Sequence, residues 1–154
     1  MLGDAERPLT YPPRFMTERE FDEPAVLARV RAIFASAPYM TALGVSLVRV
    51  GPGLCESVLA VRTEHTQHNG FVHAGVTAAM GDHTAGGAAT TLAPENHGVL
   101  TSQYSIHLLR PARGSELRCV ARVLRPGRRI SVVESEVFAD GTLVAKLTAT
   151  LAIV

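Results

Sequence analysis

One run of small residues around a single carboxylate constrains this chain more than any other feature. Residues 67–87 read QHNGFVHAGVTAAMGDHTAGG, so that Asp82 lies among Ala, Gly, Thr and Met. An unpaired charge in such surroundings is costly to bury, which means that Asp82 needs either a partner or a function. The run predicts one long helix from Phe71 or Val72 to about Leu92. Each Gly costs roughly 1 kcal/mol of helix propensity, and we expect close packing against a sheet or a second helix to offset it.

The hydrophobic pattern on either side of this helix predicts an α+β domain. Residues 21–37 have helical spacing with Asp22 as the cap, and Pro38 is expected to end that helix. The other apolar runs alternate with a period of two and predict strands. The predicted strands are 41–50, 54–61, 99–109, 115–124, 129–138 and 142–154. Together they form one antiparallel sheet with the long helix on one face.

Length and composition bound the domain count and the class of protein. The chain has 154 residues, of which 47% are hydrophobic and 19% charged, as expected for a single globular domain. We assign 1–20 to an N-terminal arm and 21–154 to the domain. The net charge of +1 and the absence of Trp give no support to nucleic-acid or membrane-surface binding. No segment is long and apolar enough for a signal peptide or a membrane span, so a cytoplasmic location is predicted. Cys55 and Cys119 are expected to be free, buried thiols.

The residues alone leave two interpretations of Asp82 open. It is either a nucleophile or general base, or a structural Asp that is capped or paired. Ala74 lies in the first turn of the same predicted helix, where free backbone N–H groups can hold an oxyanion. Eight residues at a rise of 1.5 Å separate the two by about 12 Å. Both can act on one carbonyl only if they come from two antiparallel helices, which a twofold dimer supplies.

The six histidines raise the alternative of a metal site. His65 and His68 are three residues apart, and a metal could bind them together with His73. Their segment has the composition of a loop, no Cys is near, and no HExxH pair is present on the helix. We therefore interpret them as loop and surface histidines, with His73 alone functional, and expect no metal and no cofactor.

The stretch 67–75, followed by Asp82, resembles the hotdog-fold thioesterases of the phenylacetate-degradation (PaaI-like) type. Their pattern is Asn or Gln, two residues, Gly, two residues, His-Gly-Gly, and an acidic residue seven after the last Gly. In this sequence Gly70, His73 and Gly75 are in register with it. The resemblance extends over the strands from about residue 40 to the end and over the Arg-Pro-Ala turn at 110–112. It does not cover the arm.

Two positions depart from the family pattern. Gln67 stands where many members have Asn, although other members also have Gln at this position. Ala74 replaces the first Gly of His-Gly-Gly. If that position acts through its backbone N–H, Ala keeps the donor. Its methyl group is expected either to narrow the pocket or to displace the acyl group slightly.

The resemblance implies a hotdog fold, in which an antiparallel sheet wraps around one long central helix, here with an extra N-terminal helix. It also implies hydrolysis of acyl-CoA thioesters by a homodimer or dimer of dimers with sites at the subunit interface. By the same resemblance, Asp82 attacks the carbonyl or activates water, the Ala74 N–H stabilises the oxyanion, and Gln67 positions the thioester or the water. His73 supports the loop near the sulfur, and Thr101 lies near the nucleophilic water.

Substrate-binding roles are also expected for Asn69, Gly70 and Gly75 of the motif. Arg110, Arg128 and Arg129 are expected to bind the phosphates of coenzyme A, for which guanidinium groups are suited. The alternative for these arginines is that they are solvated hairpin ends. Two other functions stay open on the same fold: an acyl-CoA-binding or regulatory module without hydrolysis, and a hydratase.

Overall fold

The computed structural model describes residues 24–154. Its helices are α1 (Pro24–Ser36), α2 (Pro38–Leu43) and α3 (Ala74–Thr90). Its strands are β1 (Val45–Gly51), β2 (Leu54–Ala60), β3 (Val99–Leu108), β4 (Glu116–Arg125), β5 (Ile130–Ala139) and β6 (Thr142–Ile153). A short 3-10 turn covers Thr63–His65. The predicted arm and the predicted cap at Asp22 lie outside the described residues.

The six strands form one antiparallel sheet in the order β1-β2-β4-β5-β6-β3. Helix α3 lies across its inner face and packs against every strand, so the sheet wraps around the helix. Large buried side chains occupy the space between the helix and the sheet. The largest of these are Leu59, Met80, Leu117, Leu147 and Leu151. This confirms the predicted α+β arrangement and leaves β3 as an edge strand beside β6.

The prediction of a strand over 41–50 is wrong at its beginning. Pro38 does not merely end the first helix, because it also occupies the first position of α2, where the missing N–H of proline costs nothing. Gly44 then ends α2 in the left-handed conformation, with φ +80°. The strand therefore starts only at Val45.

The glycines of α3 allow the helix to approach the sheet closely. A Cβ atom on Gly87 would lie 2.7 Å from the Cys55 sulfur, and one on Gly81 would lie 3.3 Å from Cδ1 of Leu147. Side chains at these positions would push the helix away from the sheet. The expectation that small residues serve close packing against the sheet is thus confirmed.

Hydroxyl groups anchor the buried side of α3 to the sheet. The hydroxyls of Ser57 and Thr84 are 2.7 Å apart, and Thr84 also donates to the Met80 carbonyl at 2.6 Å. Ser135 donates to the carbonyl of Gly81 at 2.9 Å. All three hydroxyl-bearing residues are fully buried. The middle of the helix is therefore held by hydrogen bonds as well as by apolar contacts.

The two cysteines lie in this same core as free thiols, as predicted. Burial raises the pKa of Cys119 to about 12, and it raises the pKa of Cys55 further still. Neither thiol is ionised at neutral pH. Among residues 24–154, no helix has both the length and the apolar character needed to span a membrane.

A β-bulge in β3 decides which of its side chains face the helix. Thr101 lies opposite Leu151, but Gln103 lies opposite Thr150, so Ser102 is the extra residue. Directly opposed residues share a face of an antiparallel sheet. Leu151 belongs to the inner face and is fully buried, which places Thr101 on the helix side. Beyond the bulge the alternation is reversed, which places Tyr104 on that side as well.

Candidate active site

The N-terminal end of α3 carries a free backbone donor. His73 caps the helix: its Nδ1 accepts a hydrogen bond from the Gly75 N–H at 2.9 Å, and its carbonyl accepts from Val76 and Thr77. Within the described residues the N–H of Ala74 has no hydrogen-bond partner, and Ala74 is exposed. This donor lies at the positive end of the helix dipole, where an oxyanion is stabilised.

Gly75 makes the histidine cap possible. A Cβ atom on Gly75 would lie 3.0 Å from Nδ1 of His73, so a larger residue would displace the ring. Because Nδ1 accepts a hydrogen bond, the neutral ring carries its proton on Nε2. His73 therefore presents an N–H group outward beside the helix terminus.

A tight turn precedes this terminus and fixes Gln67. The Gly70 N–H donates to the Gln67 carbonyl at 2.9 Å, and Gly70 has φ +76°, a conformation that favours glycine. The side-chain oxygen of Gln67 accepts from the Asn69 N–H at 2.6 Å. The Gln67 amide NH₂ makes no hydrogen bond to any described residue and remains available to a ligand. The Asn69 side chain instead contacts His68, with 3.2 Å between their nitrogens.

A cleft of about 590 Å³ opens beside the N-terminal end of α3. Its inner wall is mainly apolar, and Gln67, His68 and Arg110 provide polar groups. The complete lining is Gln67, His68, Phe71, Val72, His73, Ala74, Thr77, Leu108, Leu109, Arg110, Pro111, Ala112 and Val144. The guanidinium of Arg113 lies 4.6 Å above the ring of Phe71 and holds this wall of the cleft.

Asp82 lies on the face of α3 that looks toward β3. Its Oδ1 accepts a hydrogen bond from the Thr101 hydroxyl at 2.7 Å. Asp82 is half-buried and Thr101 is exposed, so solvent reaches this pair. The other carboxylate oxygen has no partner within the described part of the chain. The carboxylate is therefore oriented by one hydroxyl and keeps free lone pairs.

Within the chain the structure does not bring the two ends of the predicted site together. Ala74 and Asp82 are eight residues apart on a single unbroken helix, which corresponds to about 12 Å. Gln67 and His73 accompany Ala74, whereas Thr101 accompanies Asp82. The predicted site residues thus form two separate groups along α3.

The three arginines are likewise divided between opposite ends of the sheet. Arg110 lies at the cleft, donating to the Leu143 carbonyl at 2.9 Å. The turn that contains Arg128 and Arg129 lies beside the far end of β6, since Ile153 donates to the Arg129 carbonyl. Ten residues of extended strand separate these ends, or about 33 Å. One chain therefore cannot place Arg110 and Arg129 on the same phosphate.

The histidines that raised the alternative of a metal site are not grouped around a common point within residues 24–154. His65 is buried, contrary to the surface position expected for it, and its Nδ1 accepts a hydrogen bond from the Arg62 N–H at 3.0 Å. Among residues 24–154, no three His, Cys, Asp or Glu side chains are grouped so that they could hold a metal ion.

His83, which the sequence did not single out, packs α1 against α3. Its ring meets that of Phe34 edge-on, with centroids 4.4 Å apart. Burial lowers the pKa of His83, and the neighbouring Asp82 opposes this effect only in part. The ring is therefore neutral at pH 7 and adds no positive charge beside Asp82.

The sequence profile of the thioesterase superfamily matches residues 69–146 of this chain. The chain belongs to the thioesterase superfamily. The matched region contains every predicted site residue except Gln67, which lies two positions before it. The family supports thioester hydrolysis as the general activity and, with the sheet wrapped around α3, establishes the hotdog fold.

Solved structures agree with this assignment. A thioesterase family protein from Silicibacter pomeroyi is 34% identical, with a TM-score of 0.81, and the match covers 84% of this chain and 98% of that one. A variant of the phenylacetic acid degradation protein PaaI from Thermus thermophilus is 26% identical, with a TM-score of 0.70, covering 77% and 100%. The PaaI protein of Escherichia coli, at 18% identity and a TM-score of 0.77, covering 84% and 93%, shares the fold. No curated protein matches the chain significantly. The predicted resemblance to PaaI-like thioesterases is confirmed.

Proposed function

We propose that this protein hydrolyses acyl-CoA thioesters to a free acid and coenzyme A. The observation that carries the proposal is the Asp82 carboxylate, which is hydrogen-bonded to Thr101 and still open to solvent. As a general base, Asp82 takes a proton from a water molecule as the water oxygen adds to the carbonyl carbon. The C–S bond then breaks, and the departing thiolate takes up a proton. Direct attack by the carboxylate, followed by hydrolysis of the anhydride, gives the same products.

The N-terminal end of α3 is suited to the other half of this reaction. Negative charge develops on the carbonyl oxygen during the addition, and the unpartnered Ala74 N–H can donate to it. The free NH₂ group of Gln67 can bind the thioester or the water on the same side. The outward Nε2–H of His73 is a donor for the leaving sulfur.

A dimer would complete the site. Asp82 is hydrogen-bonded to Thr101 of β3, which is an edge strand of the sheet, and it remains partly exposed. The helix terminus of a second copy must therefore approach across β3, antiparallel to the first helix. Exposed apolar side chains on this edge, among them Tyr104 and Leu108, are the kind that a partner covers. The twofold axis produces two equivalent sites, each with Ala74 from one copy and Asp82 from the other.

The same symmetry offers a location for coenzyme A. A twofold rotation between antiparallel helices reverses the sheet ends, so Arg128 and Arg129 of the second copy turn toward the cleft end that carries Arg110. Guanidinium groups bind phosphates through paired N–H donors. Asn69 and Gly70 form the turn between His68 and Phe71, which line the cleft. Gly75 contributes by allowing the position of His73. The thiol-bearing arm of coenzyme A then enters through the cleft.

Incubation with a panel of acyl-CoA esters tests the proposal. The panel contains acetyl, butyryl, hexanoyl, decanoyl, benzoyl and phenylacetyl esters, and released thiol is measured against time. We expect catalytic release from at least one ester. Binding of the esters without any release would instead indicate an acyl-CoA-binding module.

Mixing two inactive variants tests whether the site is shared between subunits. Asp82→Ala and Gln67→Ala proteins are expected to be inactive alone and to recover about a quarter of the wild-type rate after equimolar exchange. Half of the dimers are then mixed, and one of their two sites is intact. Subunit exchange is followed with differently tagged copies. Completed exchange without recovery would place the whole site in one protomer.

A further inference from the structure

Tyr104 faces the helix side of β3 although it lies on an exposed edge. It is opposite Ala149, a fully buried residue of the inner face, and the bulge at Ser102 is what directs it there. Its side chain remains 43% exposed. Within residues 24–154, its hydroxyl makes no hydrogen bond. Tyr104 therefore presents an aromatic ring and a free hydroxyl on the same face as Thr101.

Small residues flank Asp82 on the helix face that looks toward β3. The bond between Asp82 and Thr101 shows which face of α3 looks toward β3. One turn away on that face lie Ala79 and Gly86. A Cβ atom added to Gly86 would meet no atom within 4 Å. Leu108 of β3 and Ala74 line the same cleft, so β3 runs from Thr101 toward the N-terminal end of α3. The Tyr104 ring therefore lies on the Ala79 side of the carboxylate and not on the Gly86 side.

The two ends of the proposed site, Ala74 and Asp82, determine which part of the substrate lies beside Tyr104. This step rests on the proposed function. The carbonyl must lie between Ala74 of one copy and Asp82 of the other. The coenzyme A arm leaves through the cleft toward Arg110. The acyl group must extend in the other direction, along the face of α3 that carries Asp82, and the first large side chain there is Tyr104 of the copy that supplies Asp82.

We propose that Tyr104 contacts the acyl group and sets the upper limit of its size. The ring closes the space beyond Asp82, so the wild-type site takes short acyl groups better than long ones. Thr101 orients the reacting carboxylate, while Tyr104, on the same face of the strand, selects the substrate. The bulge links these roles, because without it the two residues would lie on opposite faces of β3.

Substitution of Tyr104 by Ala tests this role against the same acyl-CoA panel. We expect the ratio of kcat/KM for decanoyl-CoA to that for butyryl-CoA to rise roughly tenfold or more, as for a pocket enlarged by several methylene groups. Tyr104→Phe keeps the ring and is expected to leave the ratio within about twofold of wild type. Tyr104→Leu, which retains apolar bulk on the edge, should give an intermediate ratio.

Leu100→Ala is the matched control. Leu100 is on the same strand and is 62% exposed, but it lies opposite Ala152 on the outer face of the sheet. Its removal should leave the chain-length ratio unchanged. An equal change in this control would show that loss of edge contacts, and not the lost ring, alters selectivity.

Several results would overturn the proposal. An unchanged ratio in folded, active Tyr104→Ala and Tyr104→Leu proteins excludes Tyr104 as the determinant while leaving the hydrolase intact. A shift in Tyr104→Phe as large as that in Tyr104→Ala assigns selectivity to the hydroxyl and refutes the size limit. Absence of thiol release from every ester by the wild-type protein refutes the proposed function and this inference together.

Discussion

Two hydrogen-bonded pairs on opposite sides of α3 have the same length and different surroundings. One side of α3 packs on the central strands of the sheet and is called here the sheet side. On it, the hydroxyls of Ser57 and Thr84 are 2.7 Å apart. On the β3 side, the Thr101 hydroxyl and the Asp82 carboxylate are also 2.7 Å apart. The first pair is fully buried and neutral, whereas the second is charged and reached by solvent.

On the proposed function, one helix has an anchoring side and a reactive side. Buried hydroxyls must find partners, and those of Ser57 and Thr84 find each other, so this pair stabilises the packing of α3 on the sheet. The carboxylate of Asp82 is oriented by one hydroxyl but keeps an oxygen free for a proton. We therefore expect changes on the sheet side to affect stability and changes on the β3 side to affect catalysis.

The largest effect is expected for Asp82→Asn. The amide oxygen can still accept from Thr101, so the fold is retained, but the amide cannot take up a proton. We expect kcat to fall by roughly 10² to 10⁴. The free energy of unfolding, measured with urea, should change by less than about 1 kcal/mol. Full activity of this variant would remove Asp82 from the mechanism.

Thr84→Val makes the corresponding change on the sheet side. The substitution keeps the shape and leaves the Ser57 hydroxyl buried without its partner, which should lower the free energy of unfolding by about 1 to 3 kcal/mol. The kcat of the folded protein should be unchanged. Unfolding in urea and initial rates at low temperature measure the two quantities separately.

The double variant Ser57→Ala/Thr84→Val sharpens this test. With both hydroxyls removed, no polar group is left unpaired between them, and we expect less destabilisation than the sum of the single changes. Strict additivity would mean that the two hydroxyls do not interact. A fall in kcat comparable to that of Asp82→Asn would mean that the sheet side also takes part in catalysis.

Thr101→Val should have a smaller effect on catalysis than loss of the carboxylate. Removing the hydroxyl leaves Asp82 able to act as a base but less well oriented, and we expect about a tenfold fall in kcat. Ser102→Ala is the control from the same strand, since Ser102 donates to the Thr150 carbonyl and not to Asp82. An equal loss in both variants would indicate a general distortion of β3.

The sequence predicted the order of elements because periodicity and turn residues are local properties. It also identified Asp82 and Ala74 as residues that one helix cannot bring together, since the rise per residue is fixed. It did not predict α2, because a proline can end one helix and begin the next. Nor did it identify Tyr104, because the face of a strand depends on a bulge that appears only when two strands are paired.

The burial of the cysteines was predicted from their apolar surroundings, but their relation to the hydroxyl cluster was not. Burial raises the pKa of Cys119, while hydrogen bonding with Thr84 and Ser135 opposes this effect. These partners are distant in sequence and meet only because α3 lies on β4 and β5. Long-range contacts of this kind cannot be read from local patterns.

The last expected effect, a dependence of stability on pH, concerns these thiols and belongs to the sheet side. Because both pKa values are raised, Cys55 and Cys119 stay protonated in the folded protein at pH 8, so a disulfide reagent should modify neither until the chain unfolds and then both. In the unfolded chain the thiols ionise near pH 8.5. Their contribution to stability is therefore complete below about pH 8.5 and declines as the pH rises toward the folded pKa values.

Urea unfolding at pH 7.5, 8.5 and 9.5 measures this decline. The slope should be at most about 1.4 kcal/mol per pH unit for each thiol, and it should disappear in the Cys55→Ala/Cys119→Ala variant. Rapid modification of the native protein at pH 7.5 would show that the sheet side of α3 opens to solvent. Solvent would then reach both sides of the helix, although their residues differ. The distinction between an anchoring side and a reactive side would no longer hold.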